Sequence, residues 1–201
     1  MSSGTITVST ERGSRATPSY RRVMFFIDGE YLKQSFQELN DSVNIDYKNL
    51  PFKLNNKFFG RGRGIQGEIV RVYYYDAQCE PEEKDYDEQI EFFNKIDNVD
   101  YYETRRASLV RKGKKKGRRE QKGVDVLIAV DMISKAYEDH YDIAIVIMGD
   151  RDFLPLIKSI KNLTGKRVFG VVFEGHYSSE LALTFDKHWI VDASTINELK
   201  P

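Results

Sequence analysis

The chain is poor in the residues that staple or metallate small domains. Its one cysteine, Cys79, excludes an internal disulfide and reads as a structural thiol. Three histidines, at 140, 176 and 188, stand too far apart in the chain for a zinc-site spacing, and they read as surface histidines, His176 being the one placed to approach a strand end. No apolar run approaches the ~20 residues that a membrane helix needs, so no membrane association is expected. The first twenty residues, MSSGTITVSTERGSRATPSY, carry no apolar h-region. No secretion signal is expected there, and the cytoplasm is the expected compartment. Neither sign of charge is in excess: 31 Lys and Arg balance 31 Asp and Glu. Net charge therefore excludes no partner, and only the distribution of charge is informative.

What is present is a globular composition. Hydrophobic residues are 40% of the 201, enough to build one full-sized core. Residues 1–20 read as a flexible tail, 21–195 as one domain with a basic, mobile loop inserted at 105–122, and 196–201 as a C-terminal tail. Short apolar runs rich in strand formers occur at Arg22–Ile27, Glu68–Asp76, Ile143–Met148, Arg167–Phe173 and Trp189–Val191, with a brief strand at Val99–Glu103. Helical spacing appears between them, at Glu30–Leu39, near Leu50–Phe59, and over Glu82–Ile96 with its stripe of Tyr86, Ile90 and Phe93. Further helices fall at Gly123–Tyr137, Phe153–Leu163 and Ser179–Phe185. Apolar positions nearly encircle Gly123–Tyr137, so that helix is expected to be well buried. This alternation predicts an α/β fold, a single-domain parallel sheet of about five to six strands flanked by helices.

Sites in such sheets form at the carboxyl ends of strands, where strand order reverses. Two apolar strands close on aspartate: FIDG ends at Asp28, and IMGDRD supplies Asp150 with Asp152 two residues on. Asp125 opens the helix that leads into the second of these strands. Each acid also has a purely structural reading. Asp28 starts a turn, Asp150 or Asp152 caps a helix, and Asp125 favours a helix N-terminus. Together they predict a pocket whose mutual repulsion is relieved by a hard divalent cation, for which Mg²⁺ is suited, with water and substrate phosphate completing its shell. Asp131, about 120° round the helix from Asp125, reads instead as a salt-bridge partner of Lys135.

Three segments carry a family resemblance: RVMFFIDGEYL at 22–32, KGVDVLIAVDMISKA at 122–136 and IAIVIMGDRDFLPLIKSIKNLTGKRVFGVVF at 143–173. In order and spacing they resemble the NYN domain family, LabA-like proteins of the PIN-like ribonuclease fold. The resemblance implies a PIN-like sheet, Mg²⁺- or Mn²⁺-dependent RNA cleavage, and Asp28, Asp125, Asp150 and Asp152 as catalytic and metal-binding carboxylates. The chain departs from the family at two positions. Tyr31 stands where the family has Asn, and Met148 where it has Ser before Gly-Asp.

The basic run supplies the cations that phosphate binding requires. Arg111, Lys112, Lys114, Lys115, Lys116, Arg118, Arg119 and Lys122 are the expected nucleic-acid contacts, with Arg105 and Arg106 preceding them and Arg61, Arg63 and Arg71 as a further rim. The tyrosines at 73–75, 101 and 102 offer stacking surfaces, of which one or two are expected to be exposed. The leading expectation is a metal-dependent ribonuclease, an endonuclease acting on single-stranded or structured RNA. The alternative is a non-catalytic NYN-like module that binds RNA or protein. A haloacid-dehalogenase-like phosphatase fits poorly, because Glu30 stands two positions after Asp28 and the Thr context is absent. Oligomeric state is open, and a homodimer is compatible with the sequence.

Overall fold

Parallel strands covered on both faces need apolar side chains in both directions, and this chain supplies four such runs. In a computed structural model, which describes residues 19–40, 42–60, 65–108 and 123–201, six strands form one parallel sheet in the order β3-β2-β1-β4-β5-β6. They are β1 (Ser19–Asp28), β2 (Ile65–Gln78), β3 (Tyr102–Ser108), β4 (Ile143–Ile147), β5 (Arg167–Phe173) and β6 (Lys187–Val191). The helices are α1 (Gly29–Asn40), α2 (Leu50–Phe59), α3 (Tyr86–Asp97), α4 (Val124–Tyr137), α5 (Leu154–Thr164) and α6 (Ser179–Thr184). The predicted α/β sheet flanked by helices is the observed architecture.

Alternate residues of each strand point to opposite faces, so the sheet divides two cores. Phe25, Ile27 and Tyr74 join Leu32, Phe36, Leu54, Phe58 and Phe93 beneath α1–α3. Met24, Phe26 and Tyr75 join Ile128, Met132, Ile157 and Leu181 beneath α4–α6. Chain order reverses between β1 and β4. The connection from β3 runs back through α4, and strand order then grows outward on the other side. That places the carboxyl ends of β1 and β4 side by side at the switch point, where a crevice opens in sheets of this kind.

Four expectations change. The third strand begins and ends later than predicted and takes in Arg105 and Arg106, the first two cations assigned to the basic loop. A turn through Tyr101, at φ 72°, precedes it. The Asp97 carboxylate accepts from Thr104 N at 2.7 Å and Oγ1 at 2.8 Å, fixing the start of the strand. Charged side chains are at home on an edge strand, where one row of backbone groups faces solvent. The third helix starts four residues late, at Tyr86, because the residues from Pro81 form turns. Residues 196–201, read as a tail, form a 3-10 turn at Ile196–Leu199 whose Ile196 and Leu199 are buried against α1 and α2. Asp46 N donates to Leu199 O at 3.1 Å. Finally, α4 is not buried all round: Val126, Val130 and Tyr137 are each more than half exposed.

Candidate active site

Asp28 closes β1 and caps α1. Its Oδ1 accepts from Tyr31 N at 3.0 Å, which satisfies one of the backbone donors a helix start leaves over. Asp150, after β4, does the same for the 3-10 turn Arg151–Phe153: its Oδ1 accepts from Asp152 N at 2.9 Å. The capping readings of both acids hold, and they do not compete with a functional one. Each bond engages one oxygen and fixes the carboxylate, and Oδ2 of each accepts no hydrogen bond among the described residues. Asp125 stands in the first turn of α4, after Gly123. Asp125 and Asp152 line one groove between α4 and α5.

Two glycines permit this approach. A Cβ on Gly29 would lie 2.4 Å from the Tyr74 ring and hydroxyl, and one on Gly149 2.4 Å from His176 O and the Tyr31 ring. Tyr31 thereby takes a structural position. Its hydroxyl accepts from Phe173 N at 3.0 Å, and its ring meets Phe173 edge-on at 5.9 Å, tying α1 to the end of β5. Met148 is fully buried beneath α4–α6, so at this position the side chain serves packing. His176 pairs with Glu38 of α1 at 3.0 Å.

The four carboxylates share one electrostatic field. Burial pushes the half-buried Asp28 carboxyl up to about 7, and Asp125, Asp76 and Glu30 add to the rise, against the opposing Tyr31 N–H. Asp125 is raised by burial and then by Asp150 and Asp152. Asp76 was passed over in the sequence. It ends the apolar part of β2 one residue beyond Tyr75, the register partner of Asp28. It is 3% exposed and bonds to Lys33 of α1 at 2.6 Å. The signal was the one that marked Asp28, an apolar strand running into aspartate (YYYD), without the adjacent glycine. Asp131 is confirmed as a structural acid: it accepts from Tyr75 Oη at 2.9 Å and pairs with Lys135 at 3.0 Å and Arg105 at 3.3 Å.

The donor set is all carboxylate, the oxygen chemistry that Mg²⁺ or Mn²⁺ takes, and such an ion offsets both the burial and the neighbouring negative charge that raise Asp28 and Asp125. The residues fit the ion in charge and in kind. With the side chains as they stand, no three His, Cys, Asp or Glu among the described residues are arranged to hold a metal. The cations from Arg111 to Lys122, and Arg61 and Arg63, lie outside the described residues. Arg105 and Arg106 are engaged by Asp131, Glu103 and Asp97, and Arg71 lies 4.0 Å from Glu103. Of the tyrosines read as stacking surfaces, only Tyr101 is exposed. It packs on Phe52 at the amino-terminal end of β3, the end of the sheet opposite Asp28.

A family model for the NYN domain matches residues 22–192. The chain belongs to the NYN domain family. Residues 22–192 run from β1 through β6, so the NYN domain here includes both strand ends that carry the carboxylates. The NYN fold is PIN-like, as the six-stranded parallel sheet is. A solved structure from Vibrio parahaemolyticus RIMD 2210633, the protein of unknown function VPA0982, is similar in fold. It has a TM-score of 0.61 and 20% identity, over 86% of this chain and 93% of that one. No curated protein matches. NYN domains are in general nuclease-like, which sets the coarse functional class. Among the described residues no helix is long and apolar enough to cross a membrane.

Proposed function

We propose that this NYN domain is a metal-dependent ribonuclease, an endonuclease that hydrolyses RNA phosphodiester bonds with Mg²⁺ or Mn²⁺ held by Asp28, Asp125, Asp150 and Asp152. The observation that supports it is the gathering of these acids at the β1/β4 switch point, where burial and then Asp125 raise Asp28, and burial and then Asp150 and Asp152 raise Asp125. A cluster of acids that destabilise one another's ionised forms is a site waiting for positive charge. When bound, the ion lowers the pKa of a coordinated water and neutralises charge developing on the phosphate.

The chain's own groups do the rest. The cap bonds from Tyr31 N and Asp152 N engage Oδ1 of Asp28 and Asp150 and leave Oδ2 of each for an ion. Asp28, with a carboxyl near neutrality, holds a proton at Oδ2 below pH 7 and releases it when positive charge arrives. Lys33 engages the Asp76 carboxylate beside it at 2.6 Å. The basic residues Arg111–Lys122 contact substrate phosphates in this reading, and the compartment is the cytoplasm.

The test is cleavage of mixed single- and double-stranded RNA in Mg²⁺, Mn²⁺ or chelator, with Asp150→Asn alongside. Cleavage that needs the metal and is lost in the variant is expected. Full activity of Asp150→Asn, or activity in chelator, contradicts the proposal. A second reading, a non-catalytic RNA- or protein-binding module, is favoured by the carboxylates' lack of convergence in their present rotamers. Metal titration separates the two, because a pure binder keeps its RNA affinity in chelator and cuts under no condition.

A further inference from the structure

Helix α4 is apolar on two faces. Val124, Ile128, Met132 and Ala136 form its inner, buried row. Val126, Val130, Ile133 and Tyr137 form a second row, 63, 58, 37 and 62% exposed. Their spacing of four, three and four residues is that of a helix-packing seam. A helix apolar all round belongs in an interior, yet the sheet covers only one side of this one. Beside the row, α4 and α5 enclose a groove of about 480 Å³ walled by Val126, Ala129, Val130, Ile133, Phe153 and Leu156. The other two helices of this layer add Leu163 (66% exposed) and Leu183 (80%), whereas helices α1, α2 and α3 themselves carry only Phe52 as a large, exposed apolar side chain, with Val43 and Tyr101 exposed in the connections beside them.

We propose that the α4–α5 face is where two copies of the chain meet, α4 of one protomer seated on the exposed row and groove of its partner about a twofold axis. A seam of this spacing takes a helix as its occupant, and a second copy supplies one with the same row of side chains. The groove walls carry no cation, and their only acids, Asp125 and Asp152, stand at the end nearest the carboxylate cluster. Covering the middle of the face desolvates no charge, while RNA finds nothing there to neutralise its phosphates. Nor does the rest of the chain match the seam. Residues 1–18 hold Met1, Ile6 and Val8 as their large apolar side chains, and 109–122 hold only Leu109 and Val110. The seam itself runs about 16 Å along α4.

Sedimentation equilibrium of the full chain from about 1 to 100 μM covers the range in which a modest interface associates. The expected mass rises from 23.4 kDa towards twice that value. Val130→Glu, at a solvent-exposed position, is expected to keep its circular dichroism and to dissociate at least about tenfold more readily. A wild-type chain that stays at monomer mass throughout, or a Val130→Glu chain that dimerises as well as wild type, overturns the proposal. If Val130→Glu fails to fold, Val130→Cys decides. A short bis-maleimide is expected to couple two copies, since the native Cys79 is buried, and failure to couple them overturns the interface.

Discussion

The ends of β1 and β4 carry the same local device and sit in different surroundings. In each, an apolar strand runs into an aspartate beside a glycine, and the aspartate caps the helical turn that follows. Asp28 is half-buried, with Asp76 on the adjacent strand and Asp125 at the start of α4, and its carboxyl is lifted to about 7, chiefly by burial. Asp150 is exposed on the opposite lip. Capping chemistry is thus common to both positions, and burial decides which acid stores electrostatic strain. A pocket built this way has one deep carboxylate that charges reluctantly and one carboxylate on its exposed lip.

Replacing the deep acid is the strongest way to break this asymmetry. Asp28→Asn keeps an oxygen to accept from Tyr31 N and removes the charge. Cleavage is expected to fall by about 10³-fold or more, a loss of roughly 4 kcal/mol in transition-state stabilisation. The same change is expected to stabilise the metal-free fold. The native state holds a proton on Asp28 that the unfolded chain has released between the ordinary carboxyl range and about 7, so stability declines as pH rises through that window and levels off above it. Asp28→Asn removes that decline. Thermal unfolding at pH 8 in chelator is expected to show a gain on the order of 2–4 kcal/mol that vanishes near pH 4. The exposed Asp150→Asn is expected to show little gain at either pH. Equal gains for the two variants would erase the distinction between the strand ends.

Metal affinity reads the same difference more gently. An ion that binds Asp28 displaces its proton below pH 7. Mg²⁺ affinity of the wild-type chain, measured by calorimetry, is therefore expected to weaken by about tenfold per unit as pH falls below about 7, roughly 1.4 kcal/mol, and to be flat above it. In Asp28→Asn the residual affinity loses this slope. A wild-type affinity that is flat from pH 5.5 to 8 would remove Asp28 from the set of ligands.

Much of this was legible in the chain. Apolar runs such as Phe25–Ile27 and Ile143–Ile147 report burial on both faces directly, because a parallel strand has no polar side to disguise it. The edge strand β3 was misplaced because Arg105 and Arg106 resemble loop residues until Asp97, Glu103 and Asp131 are seen to hold them. The apolar girdle of α4 predicted a well-buried helix, yet Val126, Val130 and Tyr137 are exposed, because a single sequence does not say which faces of a helix its own chain covers. Asp76 escaped notice because its partner, Lys33, lies 43 residues away. Whether the four aspartates close on one ion depends on side-chain torsions, which no spacing along a strand or helix encodes.

The smallest expected effect concerns the residue where the chain leaves its family's pattern. Tyr31 fills the space beside Gly149 with its ring and accepts from Phe173 N with its hydroxyl, joining the β1 end of the pocket to β5 next to β4. Tyr31→Phe keeps the ring and leaves one partly buried N–H without its acceptor, at a cost of about 1 kcal/mol in denaturant unfolding. The cap on Asp28 comes from the backbone N–H of residue 31, which the substitution preserves, so cleavage is expected to change less than about threefold. Tyr31→Asn opens the space beside Gly149 as well, and its larger loss of stability, relative to Tyr31→Phe, measures what the ring contributes by packing. If Tyr31→Phe instead abolished cleavage, the hydroxyl would belong to the chemistry, and the contrast between a deep and a shallow carboxylate would have to include a third group.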